Sequence, residues 1–315
     1  MLEDLIFIVN IVLPVFLLVI VGIFLKIINV VDDNFVKITS NFVFKVSLPA
    51  LIFLKLYNVD MENTIDVQMI SIIIVGILIT YFIGLIIAKM YKLKPEDEGV
   101  FVQGAFRSNY AIIGLAIILR MFGTAALAKA SFLLLFALPI YNFLGVIALT
   151  LPHSVNSKLN LKKTFSEILV NPLVLAVIFA IPFSVFKISL HGTIETAGNY
   201  VAEIALPLAL IGIGGSINIK SIKEASGLAF SSSLIKNIVS PLLIILIGFY
   251  YNLQNEDLGI LFIIFSCPTA IASFIMASSM KGNSKLAGNI VIISTLGSIF
   301  TMTSGLFLLR YFQII

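Results

Sequence analysis

Residues 107–110 read Arg-Ser-Asn-Tyr inside GAFRSNYAIIGLAII (104–118), a stretch that is otherwise apolar or small. A guanidinium, a hydroxyl, an amide and a phenol in succession offer hydrogen-bond donors around one fixed positive charge, which suits recognition of a polar or anionic solute. In a helical register Gln103, Arg107, Tyr110 and Gly114 form one stripe by i+4, i+3 and i+4 steps. That stripe either lines a functional interior or only bonds helix to helix. It does not face lipid: Arg107 opposes insertion by roughly 2.5–3.5 kcal/mol, against roughly 0.3–0.6 kcal/mol returned by each strongly apolar neighbour.

A second polar interruption lies at Ser266-Cys267-Pro268-Thr269. Pro268 removes a backbone donor and disfavours helix at Cys267, so a break is expected there. The freed backbone groups are tolerable at membrane depth only inside protein or beside a wet cavity. Ser266, Thr269 and Ser273 share a helical face that can line it. Cys267 reads as a small packing residue rather than a reactive thiol. Lys45 and Glu203 each follow an asparagine by four residues. They allow a buried ion pair, proton uptake by Glu203, or snorkelling toward opposite interfaces, and snorkelling or structural pairing is preferred over coupling. Lys236 carries the same ambiguity and is suited to balancing an anionic cargo.

The elements that must position these residues are membrane helices. The 315-residue chain is 60% hydrophobic and 11% charged, against roughly 25% charged in a soluble domain. Apolar runs of about 20 residues recur, each able to cross a hydrocarbon core as a helix. Ten spans are expected, near 5–28, 35–57, 66–90, 98–121, 125–151, 164–187, 194–217, 223–251, 257–280 and 285–311. The first follows Glu3 and Asp4 rather than a basic segment and reads as a retained helix, not a signal peptide. Twelve Lys and Arg residues fall on the side of the loops after spans 1, 3, 5, 7 and 9, and five on the other. The positive-inside bias therefore predicts a multi-pass protein of the plasma or inner membrane with both termini outside.

The two halves resemble each other. Asn41, Val43, Leu48 and Pro49 match Asn199, Val201, Leu206 and Pro207 at an offset of 158, which Pro14 and Pro172 share. At an offset of 159, FRSNYAI (106–112) lies over FSCPTAI (265–271). Two five-span units, 1–155 and 156–315, follow, and an odd number of spans inverts the second. The fold class is thus an all-α membrane protein of ten transmembrane helices in two inverted repeats, with spans 4 and 9 interrupted. The single cysteine excludes an internal disulfide, and His153 and His191 sit at predicted helix ends, so no metal site is expected. No cofactor is expected and no basic tract suggests nucleic acid. An intramembrane enzyme would need paired acids or a Ser/His arrangement, whereas the spans hold one acid within their core and no histidine. GIGGS (212–216) reads as a close-packing face.

SLPALIF in span 2, FRSNYAIIGLAI in span 4, ALPLALIGIGGS in span 7 and SCPTAIASF in span 9 together resemble bacterial members of the auxin efflux carrier family, relatives of the bile acid/sodium symporters. The resemblance covers essentially the whole chain. It implies a secondary transporter in which spans 4 and 9 cross near the midplane. Spans 1, 2, 6 and 7 would form a scaffold, and spans 3–5 with 8–10 a core moving by an elevator motion. A homodimer through the scaffold helices fits that plan. The implied cargo is a small organic anion such as a carboxylate, bound by Arg107, Ser108, Asn109, Tyr110, Ser266, Cys267, Pro268 and Thr269, with Arg107 suited to a bidentate contact. Lys45, Glu203 and Lys236 are left for coupling or charge balance. Span 4 lacks the family's proline and span 9 lacks its asparagine, which argues against auxin itself. Span 9 also has no acid beyond Glu256 and Asp257, so the relatives' sodium site is incomplete, and proton or sodium coupling stays open. A membrane-embedded sensor on a carrier fold and a passive anion channel are the alternatives.

Overall fold

The computed structural model describes residues 2–57, 66–153, 170–217, 227–253 and 255–315. Among these the chain is helical throughout, with no strand beyond one isolated bridge. The helices are α1 (Leu2–Ile27), α2 (Asp33–Leu56), α3 (Val67–Met90), α4 (Pro95–Phe106), α5 (Tyr110–Thr150), α6 (Pro172–Val185), α7 (Gly192–Ser216), α8 (Gly227–Tyr250), α9 (Asn255–Ser266), α10 (Ile271–Ser279) and α11 (Ser284–Tyr311). Seven of them, α1, α2, α3, α5, α7, α8 and α11, are long and apolar enough to cross a membrane. Lys158, Lys162, Lys163, Lys220 and Lys223, the first residues of predicted spans 6 and 8, and the expected boundary at 155 lie outside the described residues.

Local chemistry sets the helix ends. Asp32, Asp66 and Asn283 cap α2, α3 and α11 by accepting from the backbone N–H three residues on, at 2.6, 3.0 and 3.0 Å. Pro95 and Pro172 occupy the first positions of α4 and α6, where a missing N–H costs nothing. Glu96, Asp97 and Glu98 place negative charge at the positive end of α4. Within α5, Gly123 takes a φ of 84°, open to glycine, and interrupts the helix where the sequence predicts the turn between spans 4 and 5. Three π turns, at 43–47 in α2, 110–114 in α5 and 235–239 in α8, mark places where the ladder is loosened.

Packing divides the helices into two kinds. Those with one buried stripe turn large apolar side chains outward; Leu13, Leu17, Ile20 and Phe24 of α1 are examples. By contrast α4 is buried on every side from Glu98 to Phe106, and α9 from Leu258 to Ser266. Each has 12 residues, about 18 Å at the helical rise, and so falls short of the roughly 30 Å of a bilayer core. Past their acidic first turns both are apolar on nearly every face, as suits helices surrounded by protein. α1 and α7 touch backbone to backbone: a Cβ on Gly22 would stand 2.2 Å from the Ile211 carbonyl oxygen, and one on Gly214 2.0 Å from that of Val19. The expected close-packing role of GIGGS is realised here. Arg310 near the end of α11 bonds Asp4 of α1 at 3.2 Å and lies 3.8 Å over the Phe7 ring, which brings the two ends of the chain to one face.

Candidate functional site

Both interruptions foreseen in the sequence are present, and they meet. α4 ends at Phe106 and Arg107 is extended; α9 ends at Ser266, and Cys267 to Ala270 are non-helical. Ser108 and Thr269 form an antiparallel bridge, in which Asn109 N–H donates to the Pro268 carbonyl at 2.9 Å and Ala270 N–H to the Arg107 carbonyl at 3.3 Å. Each segment also caps the other's helix. Pro268 has no N–H to offer the Ile264 carbonyl, and the Ser108 hydroxyl donates to it at 2.6 Å. Reciprocally, the Thr269 hydroxyl donates to the Gly104 carbonyl of α4 at 2.7 Å. Lys236 donates to the Phe265 carbonyl at 2.7 Å, and Thr269 N–H turns to the Ser294 hydroxyl at 3.1 Å.

The predicted stripe on span 4 is not continuous. Because the chain leaves the helix at Arg107, the four residues separate into two pairs. Gln103 and Arg107 stay together: the Arg107 guanidinium donates to Asn142 Oδ1 at 2.7 Å, to the Tyr141 carbonyl at 3.2 Å and to Met276 Sδ at 3.1 Å. Tyr110 and Gly114 turn instead to Cys267, whose Sγ would stand 3.0 Å from a Cβ on Gly114. The single helical face expected for Ser266, Thr269 and Ser273 is likewise divided by the break. Ser266 bonds within its own turn at 3.3 Å, Thr269 reaches α4, and the buried Ser273 hydroxyl has no partner among the described residues.

Around Arg107 the sequence reading missed Asn142, Gly145 and Met276. Gly145 makes room, since a Cβ there would fall 2.7 Å from Gln103 Nε2 and 3.1 Å from Arg107 Nη1. The sequence does carry a signal for Asn142, a lone amide in the middle of an apolar span. Gln103 Oε1 and the Tyr110 and Tyr141 hydroxyls are buried without hydrogen-bond partners among the described residues. The two phenol O–H groups and an arginine held only by neutral groups are donors that suit a polar anion, whereas Gln103 Oε1 can only accept.

Charges are unevenly compensated. Arg107 is 6% exposed and Lys236 0%, and among the described residues neither has a carboxylate partner. The buried acid Glu98 pairs with Lys89 at 2.8 Å, near the start of α4. Lys45 and Glu203 are both exposed, and no ion pair among the described residues joins them. The snorkelling alternative suits that exposure. Replacing Glu203 by Gln is therefore expected to leave the pH dependence of flux unchanged in proteoliposomes; a displaced pH profile would restore Glu203 as a coupling group.

All eight residues of the two breaks are buried. An open apolar cleft of about 520 Å³ runs between α8 and α11 past Asn237, Phe262 and Phe300, and a smaller one of about 220 Å³ adjoins Asn252 and Gln313. Neither of these clefts is lined by a residue of the breaks.

The membrane transport protein family profile matches residues 7–304. An uncharacterized transporter of Methanocaldococcus jannaschii is 25% identical over 302 residues, covering 93% of this chain and 96% of that protein. An uncharacterized transporter of Methanothermobacter thermautotrophicus is 22% identical over 293 residues, covering 92% and 95%.

Proposed function

Because the chain belongs to the membrane transport protein family, the auxin efflux carrier family that its motifs resemble, we propose that it is a secondary carrier of a small organic anion. The observation that carries this reading is Arg107: a buried guanidinium at the crossing of two broken helices, satisfied by an amide, a carbonyl and a thioether but by no acid among the described residues. A buried charge without a counterion is costly, and a carboxylate ligand removes that cost while matching the guanidinium fork. The starts of α10 and of the π turn at Tyr110 add partial positive charge near the same place.

In this reading ten transmembrane helices form two inverted repeats. Its fourth helix is α4 continued by 110–122, its fifth is 124–150, and its ninth is α9 continued by α10. Helices 1, 2, 6 and 7 are the scaffold, a homodimer forms through them, and the crossing helices ride in an elevator core. The protein lies in the plasma or inner membrane with both termini outside. Burial of the breaks suits a carrier, which must seal its cargo between openings, better than a channel with a standing pore. The test is a thermal-shift panel of mono- and dicarboxylates on the purified protein, followed by counterflow in vesicles. A carboxylate that prefers the folded state raises the melting temperature, and the rise is expected to vanish in Arg107→Ala. Indifference to every carboxylate would remove the organic-anion assignment.

A further inference from the structure

Lys236 is the one fully buried lysine among the described residues. It lies in the π turn Ile235–Val239 of α8, and its ammonium donates to the Phe265 carbonyl at 2.7 Å. That carbonyl belongs to the last turn of α9, whose oxygens lose their helical partners at the break. Pro268 cannot serve Ile264, and Thr269 N–H, the natural partner of Phe265, is turned to Ser294 at 3.1 Å. The end of a half-helix at membrane depth gathers such carbonyls and the negative end of the dipole, which is how carriers build sites for monovalent metal cations. More oxygen is close in sequence. Ser240, one turn on from Lys236, is buried with its hydroxyl unpartnered among the described residues, and so is Oδ1 of Asn237. The matching end of α4 differs: the Thr269 hydroxyl serves its Gly104 carbonyl, and the positions of α3 that correspond to Lys236 by the repeat offsets are Ile77 and Leu78.

We propose that the Lys236 ammonium is the resident cation of the crossover, occupying the place at the Phe265 carbonyl where a carrier would otherwise bind a sodium ion. The positive charge that helps hold an anion at the breaks is then built into the chain, and anion binding needs no sodium. The anion in this statement rests on the carrier reading, whereas the cation does not. An ammonium differs from sodium in being tethered, so it moves with α8 and cannot be released to either side of the membrane.

The test uses the full-length protein in detergent, with sodium chloride compared against choline chloride at equal ionic strength and sodium as the only probe. The wild type is expected to melt at the same temperature in both salts. Lys236→Ala and Lys236→Ser, which empty the place and leave the Phe265 carbonyl without its donor, are expected to melt lower in choline and to regain about 2–4 °C in sodium, saturably. A saturable sodium-specific rise in the wild type overturns the proposal. So do variants that fold yet are as indifferent to sodium as the parent. If neither variant folds in either salt, the ammonium is a structural group that sodium does not replace, and the assignment fails. Because the readout needs no transported substrate, a sodium-responsive variant stands even if no organic anion is moved, and the two readings fail separately.

Discussion

In Asn109→Ala, flux of the proposed organic anion in proteoliposomes is expected to fall about 100-fold while the melting temperature stays within about 1 °C of the parent. The separation of the two effects comes from how Asn109 is used. Its backbone N–H holds the Pro268 carbonyl at 2.9 Å, a contact alanine keeps, while its buried side-chain amide makes no hydrogen bond within the described residues. Removing that amide costs the fold little, so a loss of flux reports on the solute. Ser108→Ala and Thr269→Ala are the informative contrasts, because each leaves a buried carbonyl unserved, at about 1–3 kcal/mol. Arg107→Ala likewise strands Asn142 and the Tyr141 carbonyl. Unchanged flux in Asn109→Ala would move the solute off the bridge and into the Gln103, Arg107 and Asn142 niche.

Gly214→Ala is expected to yield no monodisperse folded protein, whereas Gly212→Ala, two residues away, elutes as the parent and melts at or slightly above its temperature. The chemistry of the two substitutions is the same. A methyl on Gly214 lies 2.0 Å from a backbone oxygen of α1, which cannot yield without moving the helix; one on Gly212 meets its nearest atoms, the Ser40 and Thr39 hydroxyls, at 3.7 and 3.8 Å. Overpacking against backbone belongs to the mutations costing more than about 4 kcal/mol, while alanine at an open helical position gains about 0.5–1 kcal/mol over glycine. Folded Gly214→Ala with an unaltered melting temperature would show that α1 and α7 separate without penalty.

The break after Ser266 was legible from a local cause, Pro268, whereas the break at Arg107 was implied only by the family resemblance and the repeat register. Their pairing was only hinted at by the repeat register. Which hydroxyl serves which carbonyl was not legible, since the partners are 156 and 165 residues apart and nothing local selects them. The stripe over Gln103 to Gly114 failed for a related reason: helical spacing holds only while the helix continues. Equivalence of Lys45 and Glu203 in the repeat says nothing about which way either faces, and both face outward. Hydropathy windows of about 20 residues also blur the two 12-residue pieces α4 and α9 into full spans, although neither crosses by itself.

The reciprocal capping of α4 and α9 bears on how the chain is made. When α4 leaves the ribosome, the hydroxyl that will serve Gly104 lies 165 residues downstream. At about 5–20 residues per second that interval is roughly 8–30 s. Throughout it the short first helix has an unfinished end and no route across the bilayer as a simple apolar rod. Insertion of this region must therefore be provisional, with water, the insertion machinery or neighbouring helices serving the exposed carbonyls until the second half arrives. The ends of α4 and α9 thus complete each other, and the bridge at which the solute is proposed to bind cannot close before α9 is made.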